Sequence, residues 1–188
     1  VKHLVKEEIV LRKTVMVSLL VLVPVLLAMA DSENYNVGDV GPAGGIIFYD
    51  KGEVSDGWRY LEAAPSNQSG GIHWYNGHYV NVSTSTGIGT GRSNTDAIIE
   101  VQGSGNYAAS ICKNLTLGGF SDWFLPSRDE LNLMYINLVK AGLGGFSGSY
   151  FWSSSQFINY SAWLQDFSDG SPDYFKNSIC SVRACRAF

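Results

Sequence analysis

The stretch GGFSDWFLPSRDELNLMYINLVKAG, residues 118–142, constrains the fold more than any other part of the chain. Ser127, Arg128, Asp129 and Glu130 match the S-x-x-E capping box, in which the serine oxygen accepts the N–H of the glutamate and the glutamate reaches back to the N–H of the serine. Asp129 and Glu130 also lie at the end of the helix where its dipole favours acids. Leu131, Met134, Tyr135, Leu138 and Val139 follow at i, i+3, i+4, i+7 and i+8, a single apolar helical face. Gly142 suits the left-handed position that ends a helix. Pro126 favours an extended approach, so Trp123, Phe124 and Leu125 are expected to form a short strand leading into the core. The carboxylates at 129 and 130 thus have a structural task, and Asp122 is expected in a turn or beside an arginine.

The first thirty residues differ from the rest. Lys2, Lys6, Arg12 and Lys13 precede an apolar run over 15–27, which ends in Ala28-Met29-Ala30 and is followed by polar residues. That order describes a secretory signal peptide, with cleavage expected after Ala30. Residues 31–188 then form a single domain, with no membrane insertion once the leader is removed. They carry nine basic residues against fifteen acidic ones, a net charge of −6. Nucleic-acid binding, which depends on clustered Lys and Arg, is excluded as an expectation. All 24 aromatic residues fall in this part, so a largely aromatic core is expected.

Hydrophobic periodicity divides the domain into strands at both ends and helices in the middle. Ile46–Tyr49 and 58–62 read as an antiparallel hairpin around a loop at 50–57. Residues 95–100 and 107–115 read as two helical pieces. Short strands are expected at 150–152, 162–167 and 179–184. The pattern is that of an α+β domain.

Few residues carry catalytic chemistry. Residues 87–95, GIGTGRSNT, lack the P-loop pattern and read as a surface loop. His73 and His78 have neither metal-site spacing nor a nearby cysteine pair, and no G-x-S-x-G elbow accompanies them. Residues 166–173, DFSDGSPD, place glycine where a calcium loop needs an oxygen ligand, and read as a turn. Cys112, Cys180 and Cys185 allow at most one internal bridge, Cys112 with Cys180 or Cys185, or Cys180 with Cys185 only if the chain turns between them; the other reading is that they are buried small apolar residues. Trp152 and Trp163 are assigned to the core. Polar and aromatic residues around them, Ser153, Ser155, Asn159, Tyr160, Asp166, Asp169, Asp173 and Tyr174, have the chemistry of adaptable binding loops and are the candidate ligand contacts. Trp123, Pro126, Ser127, Glu130, Arg183 and Arg186 are assigned structural roles, the two arginines beside carboxylates such as Asp122.

Four segments in order, GWRYLEAAP at 57–65, GGFSDWFLPSRDELNLMY at 118–135, FWSSS at 151–155 and VRACRAF at 182–188, resemble the Lcl C-terminal domain family of exported bacterial proteins. The resemblance runs from about Val37 to the C-terminus. It implies a C-type-lectin-like fold, related to that of the variable proteins of diversity-generating retroelements, in which the chain ends pair and long loops bind. It also implies a cell-surface or secreted module that recognises glycans or proteins, without catalysis. The chain departs from the pattern at Cys185, where the resemblance leads one to expect valine, so no family disulfide is carried over. No cofactor or metal site is assigned; Ca²⁺ is the ion that lectin-like loops leave open. The alternatives are an enzyme on a fold like that of formylglycine-generating enzymes, and a structural envelope protein.

Overall fold

The computed structural model describes residues 34–175 and 177–188, and Tyr35–Phe188 form one compact unit. The leader assigned to residues 1–30 lies outside the described residues. In chain order the unit contains β1 (Ile46–Ser55), β2 (Trp58–Ala63), β3 (Ser69–Ile72), α1 (Gly91–Gln102), α2 (Ala108–Lys113) and α3 (Arg128–Met134). A π-helical turn (Tyr135–Val139) follows, then β4 (Tyr150–Ile158), β5 (Ser161–Asp166), β6 (Pro172–Phe175), β7 (Cys180–Val182) and β8 (Cys185–Ala187). One sheet has the order β1-β2-β8 and the other β3-β7-β4-β5-β6. The fold is α+β. No helix among the described residues is long and apolar enough to cross a membrane.

The first hairpin forms, but its strands run further than the residue pattern suggests. Ser55 pairs with Trp58, leaving Asp56 and Gly57 as the turn, with φ of 53° and 81°. Positive φ at both turn residues matches the twist of the flanking strands, so residues 50–55, expected as a loop, stay in β1. β2 then pairs with β8 through Leu61–Ala187, Glu62–Arg186 and Ala63–Cys185. The chain end is thereby held in a sheet begun by the first hairpin.

Residues 123–125 do not form a strand. Phe124 makes a single bridge to Cys185, exchanging N–H···O bonds of 2.8 and 2.9 Å. The capping box is present in both halves: Ser127 Oγ accepts from Glu130 N–H at 3.2 Å, and a Glu130 carboxylate oxygen accepts from Ser127 N–H at 2.7 Å. Leu131, Met134 and Leu138 are buried, and Gly142 has φ 70°. The predicted helix is present, but its second half is π-helical.

α1 starts at Gly91, four residues earlier than its apolar pattern suggests, because its first buried residues are polar. Gly91, Asn94, Thr95 and Ile98 form its buried face. Asn94 is bonded in both directions to the backbone of Ser85, and Thr95 Oγ1 accepts from Leu125 N–H. A Cβ at Gly91 would collide with Glu130, Phe124 and Leu125. The segment read as a surface loop is therefore half helix and packs against α3's cap.

Successive residues of β4 enter different cores, as the two-residue repeat of a strand requires. Trp152 joins Leu164, Ala162, Trp74, Ile98 and Tyr107. Phe151 joins Phe167, Leu131, Met134, Phe48 and Leu61. The larger sheet is thus covered on both faces over much of its width, and the uncovered remainder of one face forms the site below.

Candidate functional site

Residues paired directly across strands share a face of the sheet. Trp163 of β5 pairs with Tyr174 of β6, one step along from the Leu164–Asp173 pair. Phe157 of β4 reaches the same side, its ring 5.0 Å from Trp163 and 4.7 Å from Tyr174. Three consecutive strands therefore contribute one aromatic side chain each to a ridge. Phe157 and Tyr174 are 46% and 44% exposed, and Trp163 is half-buried. Such clustered rings are unusual on a surface, where apolar residues are ordinarily scattered.

The start of α3 stands beside the ridge. The Arg128 guanidinium lies 5.3 Å from the centre of the Trp163 ring and is paired with Asp129 at 2.9 Å. Between α3 and β5–β6 is a cavity of about 290 Å³, lined in part by Arg128, Asp129, Asn132, Trp163, Gln165 and Pro172. Gln165 Nε2 donates to Asn132 Oδ1 at 2.9 Å and to Gly170 O at 3.0 Å. On the other side of the ridge, a broad depression of about 700 Å³ is lined by Asn81, Ser83, Thr84, Gln156, Phe157 and Asn159, among others.

The predicted ligand residues separate into three groups. Asn159 and Tyr160 form the exposed β4–β5 turn, beside the broad depression, and Tyr174 is on the ridge. Asp166 and Asp173 project from the opposite face of the sheet. There, with Asp169, they raise the pKa of Tyr150, chiefly through the charge of Asp166 and its hydrogen bond to the phenol. Asp166 and Asp169 also hold their own turn, accepting from Ser168 and Ser171 N–H at 2.8 Å each. Ser153 and Ser155 are fully buried: Ser153 Oγ donates to Trp163 O and Ser155 Oγ to Ser85 O. Residues 84–85 and 126–128 pack against this part of β4: Arg128 N–H donates to Ser155 Oγ, Gln156 N–H to Thr84 Oγ1 and Ser154 N–H to Pro126 O. Both serines are structural.

Two further assignments change. Trp163 is a wall of the cavity, whereas Trp152 is core, with its indole N–H donated to Ile72 O at 2.8 Å. Arg186 pairs with Asp122 as expected and also with Glu62, but Arg183 has no carboxylate partner among the described residues. Its guanidinium donates to the carbonyls of Ala64 and Gly144 and to Asn67 Oδ1, and lies 4.0 Å from the Phe146 ring. Its burial lowers its pKa to about 10. Trp123 is buried, with its indole N–H donated to Leu117 O. Pro126 is buried and its carbonyl accepts from Ser154 N–H.

Among the described residues, no three His, Cys, Asp or Glu side chains gather as a metal-binding group. The three cysteines are free and buried, so none of the considered bridges forms. Burial pushes all three thiol pKa values up, that of Cys180 to about 12. Thiolate is the reactive form, so an alkylating reagent should leave the folded protein unmodified and label all three thiols after denaturation. Rapid labelling of any one in the native protein would contradict this burial.

No protein-family model matches the chain, and no curated protein matches it.

Proposed function

We propose that this chain is an exported, non-enzymatic binding or adhesion module with a C-type-lectin-like fold, and that it meets a glycan or a surface protein through the ridge of Phe157, Trp163 and Tyr174. The observation that carries the reading is the ridge itself, three mutually packed rings left open to solvent between two depressions. Aromatic side chains provide large contact area at low entropic cost and combine with nearby polar groups to fix orientation. The exposed Asn159–Tyr160 turn extends this surface, so one of the expected loops takes part. The pairing of β2 with the chain end supports the lectin-like reading.

The formylglycine-type enzyme reading needs a reactive cysteine in a pocket. Cys112, Cys180 and Cys185 are buried with raised pKa values, and none lines either depression, which favours binding over catalysis. The net charge of the domain favours neither nucleic acid nor an anionic surface as partner.

The test is capture by the full chain on a glycan array and from surface extracts. The expected result is retention of a defined glycan or protein. Retention of nothing in either format, together with turnover of a substrate, would overturn the proposal.

A further inference from the structure

We infer that the cavity between α3 and β5–β6 is a subsite for one uncharged pyranose ring. The inference rests on the binding reading above and names the chemistry for a cavity that none of the expected loop residues lines.

The charge of the cavity comes first. Its cation, Arg128, is held by Asp129 through both Nε and a terminal nitrogen, each 2.9 Å from the same carboxylate oxygen. Its carboxylate is committed to that arginine. Neither a phosphate or carboxylate ligand nor an ammonium ligand finds an unpaired opposite charge there. A charged ligand would meet a neutralised pair rather than a lone counter-charge.

The polar atoms come second. Gln165 is almost wholly buried, and its Nε2 is used twice, by Asn132 Oδ1 and Gly170 O. These two bonds fix the side-chain amide and leave Oε1, to which no described residue donates, open to the cavity. Every buried side-chain polar atom among the described residues has a partner, so Oε1, to which none donates, keeps contact with solvent, and Gln165 lines this cavity. Asn132 uses its oxygen on Gln165 and keeps its Nδ2 hydrogens. Asp129 keeps a second oxygen, and Arg128 keeps N–H groups. Donors and acceptors are thus both present around one small space. A hydroxyl both donates and accepts, so a ring bearing several hydroxyls satisfies such a mixture where a purely apolar ligand would strand it.

The apolar surface comes third. Trp163, Leu131 and Pro172 supply apolar side chains to the lining. A pyranose ring has a C–H face that packs on apolar and aromatic surface while its hydroxyls point outward. The cavity volume, about 290 Å³, is at the small end of ligand sites and suits one ring rather than a chain. Units attached to that ring would leave past Trp163 onto Phe157 and Tyr174.

The test uses the full chain and three neutral probes: the methyl glycosides of glucose, mannose and N-acetylglucosamine, with glucuronate as the charged comparison. NMR titration should show saturable shifts of the Trp163 indole N–H and the Asn132 and Gln165 side-chain amides, with at least one neutral glycoside binding on the order of millimolar. Asn132→Ala replaces an exposed side chain and should weaken that binding about tenfold. Trp163→Ala should abolish it. Absence of saturable shifts with all three glycosides, or glucuronate binding as well as they do, would overturn the inference. If the chain captures its surface ligand and no glycoside competes or shifts these signals, the sugar subsite fails and the binding module stands. If a glycoside binds but capture survives loss of the Phe157 and Tyr174 rings, the subsite stands and the ridge reading fails.

Discussion

Replacing Glu130 with alanine should destabilise the domain by about 3–5 kcal/mol, a large share of the stability of an ordinary domain. Glu130 is fully buried at the meeting point of two segments. One carboxylate oxygen accepts from Ser127 N–H at 2.7 Å; the other accepts from Gly89 N–H at 2.8 Å and Gly91 N–H at 3.4 Å. It therefore caps its own helix and also ties the 87–91 segment and the start of α1 to α3. Alanine leaves these donors without an acceptor in a dry site and opens a cavity. Glu130→Gln keeps the shape and one acceptor but turns an NH₂ group toward a backbone donor, so its loss should be intermediate. Thermal unfolding would show the alanine variant melting about 10 °C lower. A shift of a degree or two would mean that the glutamate contributes only an ordinary cap.

Arg186→Ala should have a comparable effect, about 3–5 kcal/mol, because it leaves a buried charge without its counter-ion. Arg186 Nη1 lies 3.3 Å from Glu62, while Nε and Nη2 reach the two oxygens of Asp122 at 2.9 and 3.2 Å. Its guanidinium lies 3.8 Å from the Phe120 ring. Glu62 is fully buried and also accepts from the N–H groups of Ala43 and Gly45, so the arginine holds together β2, β8 and the 41–45 turn. Arg186→Lys retains the charge but cannot make the planar two-point contact with Asp122, and should recover only part of the loss.

The same network gives a signed pH dependence. Burial pushes the pKa of Asp122 up, but the Arg186 hydrogen bond and charge, with Arg92, outweigh it and hold it below the ordinary value. A depressed carboxylate stabilises the fold above its unfolded pKa, about 3.9, and that contribution is lost as pH falls through the folded value. Burial raises the pKa of Glu62, so its contribution runs the other way: it weakens as pH rises from the ordinary value through the folded one. Asp122→Asn should therefore be less stable at neutral pH yet show a shallower loss of stability below about pH 4. An unchanged acid limb in denaturant titrations of that variant would contradict the assignment.

What was legible in the chain was local. The capping box, the apolar face of α3, the Gly142 stop and the first hairpin all depend on neighbours within a few residues, and each is present. The second role of Glu130 was not legible, because Gly89 and Gly91 lie about forty positions away. Neither was the burial of Ser153 and Ser155: a serine-rich strand looks solvent-facing until segments tens of residues away, at 84–85 and 126–128, bond to it. Trp163 illustrates the opposite failure. Apolar residues on both faces of β5 suggest a fully covered strand, but on one face α3 reaches Gln165 through Asn132 and leaves Trp163 at the margin of the cavity. β6 gave no periodic signal, since PDYF is short and follows a turn-rich run, yet it supplies Tyr174. Non-local packing thus decided which of the aromatic residues became surface.

The most direct measurement is binding of the captured surface ligand to Phe157→Ala/Tyr174→Ala beside Val54→Ala. Val54 is more exposed than either ring but belongs to β1, in the other sheet. If the ridge is the binding surface, the double variant remains folded and loses binding by about a hundredfold or more, as loss of two central aromatic contacts implies. Val54→Ala should then bind like the unaltered chain. Equal binding by all three proteins would contradict the account.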